Sequence, residues 1–366
     1  MMGRFLLVNW TSYDEIKGGC ESIFNDLKNL LIDAGHEAKM ITFRHANEVL
    51  AMGIERKKSM FFEVETSHLL DRYVSHYLKL YPKTNVISNA GLVNYWYKNK
   101  RTTNIFNDPF RLIVDVMARM ALYGPADYNK YACILNLMQK ESMNGAKNVA
   151  ISDLTAYEMK RMGITPDITI PHGVDRKIFH PMDKMELREK YGIPKDATVA
   201  VWAKDFTPVA GFHILAKLIK EFKDIYWVLQ FKNMRDYKPK YKNVKILQPI
   251  KRNIMPEIFN LGDFLVNPSI IESFGLVPLE AMACGIPCVV GNTGFIWDKK
   301  MEKDIEKKQY GIVVRNSSKV AYTKAINKLL EKKKEFRPRE FTKKYDISIW
   351  RKAWTDLAEK LCAEKS

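Results

Sequence analysis

The sequence predicts an α/β protein made of two doubly wound, parallel-sheet domains. Three observations carry that expectation. The chain has 366 residues, more than one ordinary core accommodates and enough for two domains of about 150–200 residues. Hydrophobic residues make up 46% of it, which provides for packed cores and excludes a disordered or fibrous protein. Strand and helix signals alternate throughout, with one break at Pro171–Asp175. Repeated βα alternation is the pattern of parallel sheets covered by helices on both faces.

In the first block, Phe5–Val8 is a short apolar strand, followed by a loop carrying Gly18 and Gly19. Ile23, Phe24, Leu27, Leu30 and Leu31 recur at helical spacing, and Gly35 stops that helix as a C-terminal glycine does. Further strands are expected at Ala38–Phe43, Asn85–Ser88, Asn104–Phe106, Val149–Ser152 and Ile168–Ile170. In Phe110–Tyr123 the charges Arg111, Asp115 and Arg119 fall four apart, a solvated stripe on an otherwise apolar helix. The pattern then restarts. Strands are expected at Val199–Ala203, Trp227–Phe231, Val244–Leu247, Phe264–Asn267, Cys288–Val290 and Gly311–Val314, with helices at His213–Lys223, Met255–Leu261, Pro278–Cys284 and Val320–Lys332. The expected division is 1–172, 173–345 and a final helix in 346–366 that packs back on the first domain.

The net charge of +17 is unevenly placed. Residues 1–175 hold 21 Lys/Arg against 19 Asp/Glu, whereas residues 176–366 hold 38 against 23. Such a field favours nucleotide phosphates, an acidic membrane surface or a nucleic acid. The five cysteines show no zinc or disulfide spacing, and Cys284 and Cys288 read as small buried residues in a reducing compartment. The chain runs straight into its first strand, and no apolar run reaches about 18 residues. A cytoplasmic protein is expected, peripheral at the inner membrane face at most. Neither G-x-G-x-x-G after the first strand nor a P-loop occurs, which argues against NAD, FAD and ATPase readings.

The chemistry concentrates in Asn267–Pro287. A buried strand ends at Asn267, and a loop carries Glu272 and Gly275. Pro278 stands where a helix accepts proline, its first position, which puts Glu280 in the first turn. This loop lies at the carboxyl end of a parallel strand, where open α/β sheets bind ligands. The helix N-terminus offers unpaired N–H groups and partial positive charge suited to a phosphate. Gly275 lets the backbone approach a ligand closely. Glu272 and Glu280 then become two acceptors for one site, although each alone also fits a plain surface or helix-dipole role.

The pair Glu272-x7-Glu280, set in P-S-x-x-E-S-F-G-L-x-x-L-E-A-M-A-x-G-x-P, resembles the signature of the retaining GT-B glycosyltransferases of family GT4. Gly18-Gly19, Gly35-His36, Ala146–Ser152, Ile170–Asp175 and Tyr310–Val314 resemble further segments of that family. The resemblance implies a GT-B architecture, two doubly wound Rossmann-like domains facing across a cleft. It implies transfer of a hexose from a nucleoside-diphosphate sugar, with a UDP- or GDP-sugar as co-substrate and retention at the anomeric carbon. By similarity, Glu280 holds the ribose hydroxyls, Glu272 contacts the sugar, and Ser273, Phe274, Gly275 and Leu276 hold sugar and phosphate through their backbone. Gly18 and Gly19 close from the other domain. No metal or cofactor is expected. Glu302-x-Asp304-x-Glu306, the nearest approach to a metal motif, is expected to be solvated.

Two departures from the family pattern stand out. Where relatives carry a lysine before Gly211, this chain has Ala210, leaving Lys204 as the loop's cation. Lys204 is therefore expected on the donor phosphates, with Lys232 or Arg235 as helpers. The family's first-domain histidine is replaced by Asn107-Asp108, which become the acceptor-side candidates together with His172, a residue at a hinge position that reads as structural. The alternative reading is a catalytically degenerate relative that binds a nucleotide sugar or a polyanion. Lys332–Lys334 and Arg337-Pro-Arg339 lack a stacking platform beyond Phe336 and Phe341, so nucleic acid is not expected. The acceptor class stays open among glycan, lipid-linked and small molecule. Arg56–Lys58 and Lys98–Arg101 suit a lipid-linked acceptor or an anionic membrane surface.

Overall fold

The structure, a computed structural model, describes residues 2–11, 19–49, 62–94, 97–107, 112, 126–204, 208–231, 241–247, 251–297, 299–332 and 335–364. The chain divides into two compact units, Met1–Pro171 with Trp350–Ser366, and His172–Ile349.

The first unit is a six-stranded parallel sheet in the order β2-β1-β3-β4-β5-β6. Its strands are β1 (Arg4–Val8), β2 (Glu37–Ile41), β3 (Thr84–Asn89), β4 (Thr102–Phe106), β5 (Lys147–Ala150) and β6 (Ile168–Thr169). Strands β3 and β4 are buried along their whole length and β1 over Phe5–Val8, whereas β2 at the edge is largely exposed. Continuous apolar sequence is what a strand covered on both faces requires. Helix α1 (Gly19–Asp33) buries Ile23, Phe24, Leu27 and Leu31. Helices α2 (Phe43–Val49), α3 (Phe62–Leu80), α4 (Ala126–Met143) and α5 (Asp153–Arg161) follow. The chain returns to this unit from Trp350 within α13 (Ile347–Ala363), where Cys362 Sγ lies 3.9 Å from Asn85 Nδ2.

Local chemistry corrects two expectations here. Phe43 opens α2 instead of ending β2. Ser152 leaves β5 to cap α5: Thr155 N–H donates to Ser152 Oγ at 3.1 Å and Ser152 N–H donates to Thr155 Oγ1 at 2.8 Å, a reciprocal capping box that satisfies two backbone donors. Helices α3 and α4 were not anticipated. Phe110–Tyr123 lies outside the described residues except for Leu112.

The second unit is a parallel sheet in the order β12-β11-β10-β7-β8-β9. Its strands are β7 (Thr198–Ala203), β8 (Ile225–Gln230), β9 (Val244–Leu247), β10 (Phe264–Asn267), β11 (Cys288–Gly291) and β12 (Gly311–Val314). Its helices are α6 (Lys184–Lys190), α7 (Phe212–Glu221), α8 (Met255–Leu261), α9 (Leu276–Ala283), α10 (Lys299–Lys307), α11 (Lys319–Glu331) and α12 (Pro338–Phe341). The chain builds outward from β7 to β9, then crosses back to lay β10 against the other side of β7. That reversal is a topological switch point, where the loops at the strand ends diverge and leave a crevice. Trp202, Trp227, Phe231, Phe264 and Tyr322 anchor the core on one face of the sheet.

Two arginines secure this frame. Asp263, at the foot of β10, pairs with Arg188 at 3.0 Å and Lys184 at 2.8 Å, and accepts from the Val199 N–H at 2.8 Å. Arg339 donates to the carbonyls of Arg176, Phe179 and Ala283. In Arg337-Pro-Arg339 the second arginine is thus committed to the backbone, in part at the end of α9. Among the described residues no helix is long and apolar enough to cross a membrane.

Candidate functional site

The carboxyl ends of β7 and β10, hydrogen-bonded neighbours, bring the motif residues together. Lys204 directly follows β7, and its Nζ lies 2.5 Å from Glu272 Oε1. The Lys204 side chain is 21% exposed and that of Glu272 11%, so the pair borders solvent without being dissolved in it. Asn267, the last residue of β10, donates from Nδ2 to the same carboxylate oxygen at 3.1 Å. Glu272 N–H donates to Thr293 Oγ1 at 2.9 Å. Beneath them the buried Tyr322 hydroxyl donates to Asn267 O at 3.4 Å. Burial, and then the charge of Glu272, push that hydroxyl far above its ordinary pKa, which keeps it a neutral donor.

The backbone around Glu272 is held just as closely. Gly294 sits at φ +63°, and a Cβ there would collide with the Phe274 carbonyl and touch the Glu272 side chain. Ile270 N–H donates to Val209 O at 2.8 Å, tying the loop after β10 to the loop after β7. Ala210, at the position of the missing lysine, is buried. No cation stands at that position.

Helix α9 begins two residues earlier than expected. Gly275, at φ +102°, is its N-cap, Leu276 its first residue and Pro278 its third. The need for glycine therefore comes from the left-handed backbone; a Cβ would meet Phe295 only at ordinary contact distance, 3.5 Å. With no side-chain cap, the N–H groups of Leu276 and Val277 are left for water or a ligand. Glu280 falls in the second turn and is buried, so a helix-dipole role does not account for it. Its Oε1 lies 2.9 Å from Arg252 Nη2, with Glu280 7% and Arg252 27% exposed at the side chain.

The remaining candidates separate clearly. The Phe274 ring is buried among Phe295 and Tyr345, with centroids 5.5 and 5.7 Å away, leaving only its backbone for a ligand. Ser273 and Leu276 are half-buried. His172 stacks edge-on against Phe274 at 5.1 Å. Burial, helped by the charge of Arg252, lowers its pKa from 6.5 to about 3. Gly19 is the exposed first residue of α1. Asn107 is buried in the first unit and donates to Asn89 Oδ1 at 3.2 Å. Gly18, Asp108, Lys232 and Arg235 lie outside the described residues.

Glu302 is not solvated. It is buried and accepts from Asn292 Nδ2 at 3.1 Å and from Arg315 Nε. No group of carboxylates, histidines and cysteines able to hold a metal occurs among the described residues. Cys284 and Cys288 are buried, and burial raises the Cys284 thiol to about 12 and Cys288 well above its ordinary value, so both are inert. The sequence reading missed Arg252, Asn267 as a partner of Glu272, and Thr293. The available signal for Arg252 was its place just after the third strand of the second block, where another strand end opens.

Residues 183–345 match the family model described as Glycosyl transferases group 1. The D-inositol 3-phosphate glycosyltransferase of Stackebrandtia nassauensis is 26% identical over 182 residues, 44% of this chain and 40% of that protein. The chain spans about 40% of the length of the curated relatives it matches. Among solved structures, the sucrose-phosphate synthase of Thermosynechococcus elongatus has a TM-score of 0.79 at 17% identity, over 99% of this chain and 100% of that one. Anabaena HepE in complex with UDP and glucose gives 0.66 at 14% identity, over 98% and 99%. These likenesses give the fold: GT-B, with two Rossmann-like units.

Proposed function

We propose that this chain, whose residues 183–345 belong to the group 1 glycosyltransferase family, is a retaining hexosyltransferase using a nucleoside-diphosphate sugar. The observation that carries the reading is the cation–carboxylate pair Lys204–Glu272 straddling the switch point of the second sheet, next to the uncapped start of α9. A sugar diphosphate matches this set: anionic oxygens for Lys204 and the N–H groups of Gly275, Leu276 and Val277, and sugar hydroxyls for Glu272.

On binding, Lys204 exchanges Glu272 for the diphosphate, which frees Glu272 to accept from the sugar. Fixed positive charge at the departing phosphate then lowers the barrier as charge develops there. Residues 173–345 carry the donor and residues 1–172 the acceptor contacts, Asn107 among them. His172, with a pKa of about 3, is too weak a base to take the acceptor's proton near neutrality; the leaving phosphate takes it. The reaction needs no metal. UDP is the first nucleotide to try, since the HepE structure holds UDP and glucose; the acceptor class stays open.

The test is thermal stabilisation by UDP, GDP and their hexose conjugates, followed by product analysis for anomeric configuration. A ligand that binds only the native state raises the melting temperature by mass action. Stabilisation by oligonucleotides with none by any nucleotide sugar would contradict the proposal.

A further inference from the structure

The ion pair between Arg252 and Glu280 has a use beyond neutralising a buried carboxylate. Other arginines of the same unit show what a purely structural guanidinium looks like. Arg188 is 3% exposed at the side chain and donates to Leu261 O, Lys195 O, Ala197 O and Asp263. Arg339 spends its guanidinium on three carbonyls. Arg252 differs from both. It stands on a short 3-10 turn, Arg252–Ile254, its side chain is 27% exposed, and among the described residues Glu280 is its one ion-pair partner. One contact occupies one edge of a fork with five N–H donors. Among the described residues the rest of the fork makes no other ion pair, and the side chain is in part open to solvent. The nearby buried His172, its pKa lowered to about 3, adds no positive charge beside Arg252 near neutrality.

A guanidinium beside a carboxylate sets a donor next to an acceptor. That arrangement complements two adjacent hydroxyl oxygens: one donates to the carboxylate while its neighbour accepts from the guanidinium. We propose that Arg252 is a specificity-determining residue, which donates to the 2′-hydroxyl of a ribonucleoside diphosphate while Glu280 accepts from the 3′-hydroxyl, and so rejects 2′-deoxyribonucleotides. The inference rests on the donor-site reading above and adds a donor residue to it. A site built to hydrogen-bond a hydroxyl discriminates strongly against the analogue lacking it, because its own polar groups are then left unpaired.

The experiment is calorimetric binding of UDP, 2′-deoxy-UDP, GDP and 2′-deoxy-GDP to the full chain and to Arg252→Met and Arg252→Lys, with thermal melts to establish that each variant folds. The wild-type chain is expected to prefer its ribonucleotide at least about tenfold. Arg252→Met should weaken the ribonucleotide by about tenfold while leaving the deoxy form nearly unchanged, and Arg252→Lys should fall between. Equal weakening of ribo and deoxy forms, or tighter binding of both, would overturn the inference, the first by making Arg252 structural and the second by making it a plug. A wild-type chain that binds ribo and deoxy forms equally leaves the donor-site reading standing and removes this inference alone. If no nucleotide binds the wild-type chain, the donor-site reading fails and takes the inference with it.

Discussion

The two sheets share a doubly wound plan, yet their switch points carry different chemistry. In the first unit the strand order reverses between β1 and β3, and among the described residues the side chains at the strand ends form an asparagine-lined network that reaches one carboxylate, Glu21, through Thr11. Asn107 donates to Asn89 at 3.2 Å, Asn89 donates to Cys20 Sγ at 3.7 Å, and Cys20 donates to Asn9 Oδ1 at 3.6 Å. In the second unit the reversal between β7 and β10 is lined by Lys204–Glu272, with Arg252–Glu280 beside it. One edge is suited to uncharged hydroxyl groups, the other to an anion and its attached sugars. On the proposed function, the same backbone plan with different residues at its strand ends would serve two recognition tasks. The excess of Lys/Arg after residue 175 follows the same division.

The largest expected effect lies on the charged edge. Glu272→Ala and Glu280→Gln should each reduce transfer by about tenfold to over a hundredfold while the protein stays folded, since each removes a hydrogen bond to a charged group. Circular dichroism and initial rates check this, and folded variants with full turnover would erase the contrast between the edges. Next comes Lys204→Met, expected to weaken UDP or GDP by about tenfold but to leave the bare nucleoside nearly unaffected, as a contact to phosphate alone requires. Equal loss for both ligands would instead indicate that Lys204 only shapes Glu272.

His172 sharpens the comparison through pH. Its folded pKa of about 3 lies below the ordinary 6.5, so the unfolded chain binds a proton that the folded chain refuses. Stability from this group is complete above about pH 6.5 and is lost as pH falls toward 3. Between pH 7 and pH 5 the loss is about 2 kcal/mol. Urea titrations at the two pH values should show His172→Asn losing that much less than the wild type. The smallest effect belongs to the asparagine-lined edge: Asn107→Ala should raise the KM for the acceptor a few-fold and leave nucleotide affinity unchanged. A shift in nucleotide affinity would show that the tasks are not separate.

How much of this was legible in the sequence depended on range. Parallel strands buried on both faces read directly as apolar runs, so β7, β10 and β12 were located to within a residue. Helices α3 and α4 were not, because polar residues interrupt the apolar positions in sequences such as Phe62–Leu80. Glu272 and Glu280 were visible because they share one local motif. Their partners were not, since Lys204 and Arg252 reach them from other strand ends and only the strand order brings those ends together. The helix start was misplaced for a local reason: proline is tolerated throughout the first turn, and it was the left-handed Gly275 that set the boundary.

The most direct test of the central claim is a crystal structure of the full chain with UDP or GDP bound. The account predicts the diphosphate within hydrogen-bond reach of Lys204 Nζ and the N–H groups of Gly275 and Leu276, with Lys204 drawn away from Glu272 and the ribose hydroxyls on Glu280. A nucleotide bound instead at the asparagine-lined edge between β1 and β3, with Lys204 still paired to Glu272, would contradict it.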